Sequence, residues 1–196
     1  MKPIETVYNG YKFRSRLEAR WAVFFDALGI DYEYEPEGFE TACGYYLPDF
    51  RVKCWGTRGA IWDKPFDLWV EVKGKMTQED ANKIKAFARP IIKHAGEIQW
   101  VSEIQNPILI VGNIPQKGKT DCGSSLGSYE GMDGIDIYPF NLELIDGDYF
   151  GTGFQYSSGK LVLGGDDSNY GGTSDPTVDQ AYEAARQARF EHGEKG

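Results

Sequence analysis

The sequence predicts an α/β fold in which a helix, three strands, a second helix and a fourth strand follow one another, with an acidic α+β addition at the C-terminal end. Three observations predict it. An S-x-x-E signature, Ser15 to Glu18, opens a stretch whose apolar residues recur at helical spacing. Residues 30–72 then break into short β-type runs, and a second capped helical stretch follows them. Finally the charge changes: residues 1–100 carry 15 Lys+Arg and 15 Asp+Glu, whereas residues 101–196 carry 6 against 15 and account for the whole net charge of −9.

Two segments follow from that break, a core over 1–112 and an acidic, Gly-rich extension over 113–196 with short strands and a C-terminal helix packing on the core. At 196 residues, 41% of them hydrophobic, the chain suits one ordinary domain with an appendage. No apolar run approaches the roughly 18 residues of a membrane span, and Met1 to Glu5 lack the apolar region of a signal peptide. The expectation is a soluble protein without a membrane partner, in the cytoplasm of a bacterium or a phage-infected host. Cys43, Cys54 and Cys122 make no C-x-x-C pair, so free thiols are expected; a zinc site would have to recruit the distant His94 or His192.

Taken in order, residues 7–13 form a hairpin around the Asn9-Gly10 turn signal. The capped helix runs from Ser15 to about Leu28, with Leu17, Trp21, Phe24, Phe25 and Leu28 as its buried stripe and Gly29 at the C-terminal cap. Ile30 to Glu35 alternate apolar and acidic residues, a half-buried strand ended by Pro36. Residues 38–44 are a turn region, Tyr45 to Val52 a second strand, 53–65 an irregular loop, and Phe66 to Val72 a third strand. On the last, Leu68, Val70 and Val72 share one face; Trp69, Glu71 and Lys73 share the other. Thr77 to Asp80 cap a second helix whose buried face is Ile84, Phe87, Ala88 and Ile91. Pro107 to Gly112 suit a strand buried on both faces. Residues 113–134 read as a loop, 135–164 as short strands of a small antiparallel addition, and the closing helix runs from Asp175 or Thr177 to about Phe190.

The chemistry concentrates between Tyr45 and Lys73. Glu71 and Lys73 leave one strand face about 7 Å apart at the backbone. Pairing of the second and third strands brings Asp49 to Glu71, and the Val72 carbonyl adds an oxygen. Two carboxylates, a carbonyl and water are hard ligands that select Mg2+, with Mn2+ substituting, over zinc. Such an ion acidifies a bound water and neutralises charge on a phosphodiester, and Lys73 beside it orients the water or stabilises the transition state. Burial and metal charge lower the Lys73 pKa while the carboxylates raise it. Glu18 has two open readings: a capping-box residue only, or a carboxylate aimed from the helix start toward the sheet.

An E-x-K on a strand is common; the order of elements around it is not. Pro48-Asp49 and Glu71-Val72-Lys73, with Phe13 to Glu18, Tyr34-Glu35-Pro36 and Tyr46 to Phe50, resemble the PD-(D/E)xK superfamily of restriction-endonuclease-like nucleases. Among them, phage-encoded members, transposase cleavage subunits and Vsr-type mismatch-repair endonucleases look most similar. The resemblance covers about residues 7–112. It implies a mixed central sheet flanked by helices, a metal held by Asp49, Glu71, the Val72 carbonyl and Glu18, and Lys73 as the catalytic lysine. The resemblance also makes Gln78 and Lys83, in the following helix, weaker candidates for contact to phosphate or water. The 21 residues between Asp49 and Glu71 exceed a tight hairpin, so an insertion stands beside the site.

The function so implied is a Mg2+-dependent DNA endonuclease. Since acidic surface repels a DNA backbone, contacts fall to the first half, through Lys12, Arg14, Arg16, Arg20 or the insertion with Arg51, Lys53 and Arg58. The insertion's Trp55 and Trp62 either stack on bases or pack over the sheet edge. A competing reading is a non-catalytic binding protein on the same fold, a phage-encoded DNA mimic or inhibitor. An RNA-processing nuclease shares the site chemistry, yet no RNA-recognition motif is present. The acidic half offers a homodimer or protein-partner surface, or an autoinhibitory cover for the core.

Overall fold

A computed structural model describes residues 4–56, 65–88, 90–95, 98–104, 106–115, 121–124, 152–165 and 176–190. The chain opens with a hairpin, β1 (Thr6–Tyr8) and β2 (Tyr11–Phe13), whose turn places Asn9 and Gly10 at φ 45° and 83°. Asn-Gly tolerates that left-handed pair, and the turn's twist matches the strands it joins. Helix α1 (Arg16–Ala27) starts at Ser15, whose Oγ accepts the Glu18 N–H at 3.2 Å. It ends in a Schellman motif: Gly29 at φ 65° donates to the Asp26 carbonyl and Ile30 to that of Phe25.

Strand β3 (Tyr32–Tyr34) pairs antiparallel with β6 (Phe50–Gly56), which pairs antiparallel with β7 (Phe66–Val72). After β7, α2 (Gln78–Ala88) crosses one face, and β10 (Ile108–Val111) returns parallel to β7. Residues 68–72 and 108–111 are all buried, because helices cover both faces. Leu68, Val70, Val72, Leu109 and Val111 face α1, while Trp69, Ile108 and Ile110 face α2.

Several elements depart from expectation. Residues 38–46 form a hairpin, β4 (Phe39–Thr41) with β5 (Gly44–Tyr46), and the strand expected over 45–52 is split at Leu47 to Asp49. Pro48 has no N–H for a ladder, so pairing lapses where Asp49 must point inward. β6 also runs on to Gly56, into the expected loop; the rest of that loop, with Arg58 and Trp62, lies outside the described residues. Helix α2 stops at Ala88 rather than continuing to Ile91, since Pro90 disfavours helix before it. Ile91 instead lies on β8 (Pro90–Ala95), paired with β9 (Ile98–Ile104) in a hairpin the sequence did not announce.

The C-terminal half joins the same sheet. β11 (Asp121–Ser124), inside the expected loop over 113–134, pairs with β10; β12 (Thr152–Ser157) and β13 (Lys160–Gly165) follow in antiparallel order. β13 then pairs parallel with β6 at Trp55 and Gly56, beyond the stretch of β6 that holds β3. The sheet is therefore mixed and closes on itself through β6. The other short runs expected over 135–150 lie outside the described residues. Helix α3 (Pro176–Gln187) packs on α1, stacking Tyr182 on Phe24 with centroids 4.6 Å apart. Phe154, Leu161, Val178, Tyr182 and Phe190 share one core with Trp21, Phe24 and Phe25. The described residues thus form a mixed α/β structure with three helices, and no helix among them is long and apolar enough to cross a membrane.

Candidate functional site

Asp49, Glu71 and Glu18 are the buried carboxylates of the described residues, at 2%, 2% and 7% exposure. Each is placed by a different element. Asp49 enters at the interruption before β6, and its Oδ2 accepts the Val72 N–H at 2.7 Å. A side chain thus replaces the backbone partner that β6 no longer supplies to the end of β7. Its Oδ1 lies 2.6 Å from Arg14 Nη2, and Arg14 Nε is 2.6 Å from Glu35 Oε1. Glu35 sits at φ 46°, a left-handed position where β3 ends.

Glu71 lies on the α2 side of the sheet. Tyr46, at the end of β5, donates its hydroxyl to Glu71 Oε2 at 2.6 Å, and Lys73 Nζ is 2.9 Å from Oε1. Lys73 also reaches Asp80 Oδ1 in the first turn of α2, at 3.4 Å. Glu18 comes from α1, on the opposite side of the sheet. Its Oε2 accepts the Tyr34 hydroxyl at 2.6 Å and the Arg14 N–H at 3.0 Å, and Ser15 Oγ lies 2.7 Å from Oε1. The capping box is present, with the glutamate reaching back one residue beyond the cap.

Electrostatics follow from this burial. Asp49 is held well above the usual carboxylate range by desolvation, then by the charges of Glu71 and Glu18, against the Val72 N–H and Arg14. Desolvation raises Glu71 as well, against Lys73 and Tyr46. For Lys73 burial pulls downward, but Glu71, Asp80 and Asp49 outweigh it and hold the ammonium above its ordinary value. The tug-of-war expected at Lys73 is decided for the cation, which stays protonated at neutral pH.

A cleft of about 720 Å³ opens at this end of the sheet. Glu18, Asp49, Val72, Lys73 and the arginines Arg14 and Arg16 line it; Glu71 stands behind, linked to it through Lys73. Among the described residues, no three His, Cys, Asp or Glu side chains are grouped to hold a metal ion. The reason is positional: Glu71 and Glu18 approach from opposite faces, with Asp49 between them. The donor chemistry nevertheless fits a hard divalent cation. Asp49 and Glu71 are buried hard-oxygen donors near the end of β7, beside the cleft that Val72 lines, and each already has a cationic partner, Arg14 and Lys73.

The remaining expected contacts are dispersed. Arg51 pairs with Glu33 and Glu37 and lies over the Trp69 ring, and Lys53 pairs with Asp67 on the exposed side of β6. Gln78 bonds Asn82 and Lys83 pairs with Glu79 along the outside of α2. Trp55 lies under Lys160, 5.3 Å from its ring centroid. Cys43 is exposed and Cys54 buried, both as free thiols. Sequence reasoning missed Tyr46, Tyr34, Glu35 and Asp80 as partners of the charged centre. Nothing local separates Tyr46 from exposed Tyr45, since only the fold sets one ring against Glu71. No family model matches the chain, and no curated protein matches it.

Proposed function

We propose that this chain is a metal-dependent DNA endonuclease of the PD-(D/E)xK type. The observation that carries this reading is the 2.7 Å bond from the Val72 N–H to Asp49 Oδ2. It joins the two halves of the motif at the wall of an open cleft. Asp49, Glu71 and the Val72 carbonyl would hold Mg2+, with Glu18 reaching it from α1. When bound, the ion supplies an acidified water and charge neutralisation at a phosphodiester.

The chain's own residues prepare that chemistry. Tyr46 and Lys73 fix the two oxygens of Glu71, so its carboxylate has one orientation. The Val72 N–H and Arg14 do the same for Asp49. Lys73, kept cationic and facing the cleft, provides a fixed positive charge for the negative charge that builds in phosphoryl transfer.

The test is nicking of supercoiled DNA with Mg2+ by wild type, Asp49→Ala and Lys73→Ala. Metal-dependent nicking lost in both variants supports the reading. Absence of nicking on duplex, single-stranded, flap and junction DNA and on RNA sinks it. One observation favours the binding-protein alternative: Arg14 already neutralises Asp49 Oδ1. In that case wild type binds its target without cutting.

A further inference from the structure

Asp49 has one oxygen left for a ligand, and Arg14 is on it. Oδ2 is committed to the Val72 N–H at 2.7 Å, whereas Oδ1 lies 2.6 Å from Arg14 Nη2. A small divalent cation ligated through Oδ1 stands roughly 2 Å from that oxygen, which brings it against the guanidinium. Two cations so close repel, and beside a carboxylate that is 2% exposed water screens them little. Arg14 and a metal ion therefore compete for the same atom.

The way Arg14 is held suits a side chain that leaves. Its backbone, between β2 and α1, is anchored twice: the N–H donates to Glu18 Oε2 at 3.0 Å and to the Tyr34 hydroxyl at 3.1 Å. The side chain is 54% exposed, lines the carboxylate cleft and bridges Glu35 and Asp49. Lys73, the cation on Glu71, is half as exposed and shared with Asp80. Because Arg14 Nε lies 2.6 Å from Glu35 Oε1, loss of the Asp49 contact leaves the guanidinium paired with Glu35, which is outside the expected metal set. The Nη groups so released stay at the cleft wall, where a planar fork of donors fits phosphate oxygens.

We propose that Arg14 is an exchangeable counter-ion: it holds Asp49 in the metal-free protein, is displaced from Oδ1 by Mg2+, and turns its guanidinium to a phosphate of the DNA beside the metal. The inference rests on the nuclease reading and deepens it, since one side chain then couples metal binding to substrate binding. The Arg14–Asp49 contact becomes the resting state of the enzyme.

Calorimetric titration of Mn2+ into the full-length protein reads the first half of the exchange. Arg14→Gln, which leaves no cation to displace, is expected to bind Mn2+ about 10-fold more tightly than wild type. Arg14→Met serves if Arg14→Gln does not fold. Arg51→Gln removes an equal charge at a residue paired with Glu33 and Glu37, and as the control it should match wild type. Fluorescence anisotropy with a labelled DNA duplex reads the second half, in EDTA and in saturating Ca2+, an oxygen-ligated ion used here to slow cutting. Arg14→Gln should bind DNA as wild type does in EDTA and about 10-fold more weakly than wild type in Ca2+.

Mn2+ affinity in Arg14→Gln equal to or weaker than that of wild type overturns the exchange. DNA affinity lost equally in EDTA and Ca2+ also overturns it, by making Arg14 a fixed contact, and so does unchanged affinity in Ca2+. Metal-dependent nicking by wild type in any of these cases leaves the carboxylate site standing. Wild type and Arg14→Gln that both fail to bind Mn2+ and to nick DNA overturn both readings.

Discussion

Asp49 and Val72 are joined by a 2.7 Å hydrogen bond from backbone N–H to carboxylate, across 23 positions of sequence. The carboxylate takes a ladder position that Pro48 interrupts, which fixes it at the end of β7 without a backbone partner. The cost is a buried charge beside Glu71. That cost sets the first prediction.

Asp49 and Glu71 both have raised pKa values, from burial first. The folded protein therefore holds protons more tightly than the unfolded chain at pH values between the ordinary carboxylate range, about 4, and the raised values. Stability falls as pH rises through that window and returns on acidification. Asp80, lowered on balance because Thr77 and Lys73 outweigh burial, acts in the opposite sense and only below the ordinary range. The metal-free protein is expected to melt at higher temperature at mildly acidic pH, close to the ordinary carboxylate range of about 4, than at a higher, neutral pH. Asp49→Asn should raise the Tm at the higher pH and flatten the dependence. A lower Tm for Asp49→Asn at that pH would show that the Arg14 ion pair outweighs burial.

Tyr46 acts through Glu71. Tyr46→Phe removes a buried hydrogen bond to a charged group, worth about 1.5–3 kcal/mol in stability. Because that bond helps lower the Glu71 pKa, its loss should move the acid limb of the nicking pH profile upward. The nicking rate is expected to fall about 10-fold with DNA affinity unchanged. A profile that does not move would reduce Tyr46 to a packing residue.

Lys73 is held above its ordinary pKa by Glu71, Asp80 and Asp49 despite burial. Lys73→Gln should lower nicking about 100-fold or more, by removing a fixed charge rather than a base. The wild-type rate should accordingly show no basic limb from Lys73 below about pH 9, given an unperturbed lysine near 10.4. A limb near neutrality that disappears in Lys73→Gln would assign the lysine as a base.

One reading of the acidic half from the sequence was an autoinhibitory cover whose deletion strengthens DNA binding. Tyr182, stacked on Phe24 and 1% exposed, makes that half part of the hydrophobic interior. Tyr182→Ala should cost about 3–5 kcal/mol, like other large aromatic deletions, read as a shift in the denaturation midpoint. Deleting residues 113–196 should leave an unfolded or aggregated chain rather than a tighter DNA binder. A folded 1–112 fragment with stronger DNA binding would restore the autoinhibitory reading.

Much of the framework was legible because its signals are local. Ser15 and Glu18, three residues apart, announce α1, and Gly29 announces its end through one left-handed residue. Asn9-Gly10 announces the first hairpin, and period-2 alternation sorts β7 between the two helical layers. These depend on backbone conformation within a few residues, which the side chains themselves control. The split at Leu47 to Asp49 carried a signal too, in Pro48, but only the missing partner of Val72 gives that break its purpose.

By itself, then, the sequence determined α1, β7, α2, β10 and the nearness of Glu71 to Lys73. The tertiary structure decided which atoms those residues meet. Tyr46 on Glu71, Tyr34 on Glu18, Arg14 on Asp49 and the return of β13 to β6 join positions 16 to more than 100 apart in the chain. No local propensity encodes such contacts. They arise because burying the apolar faces of α1, α3 and the sheet leaves one arrangement of strands, and the charged groups at the sheet's end take the partners that arrangement leaves them.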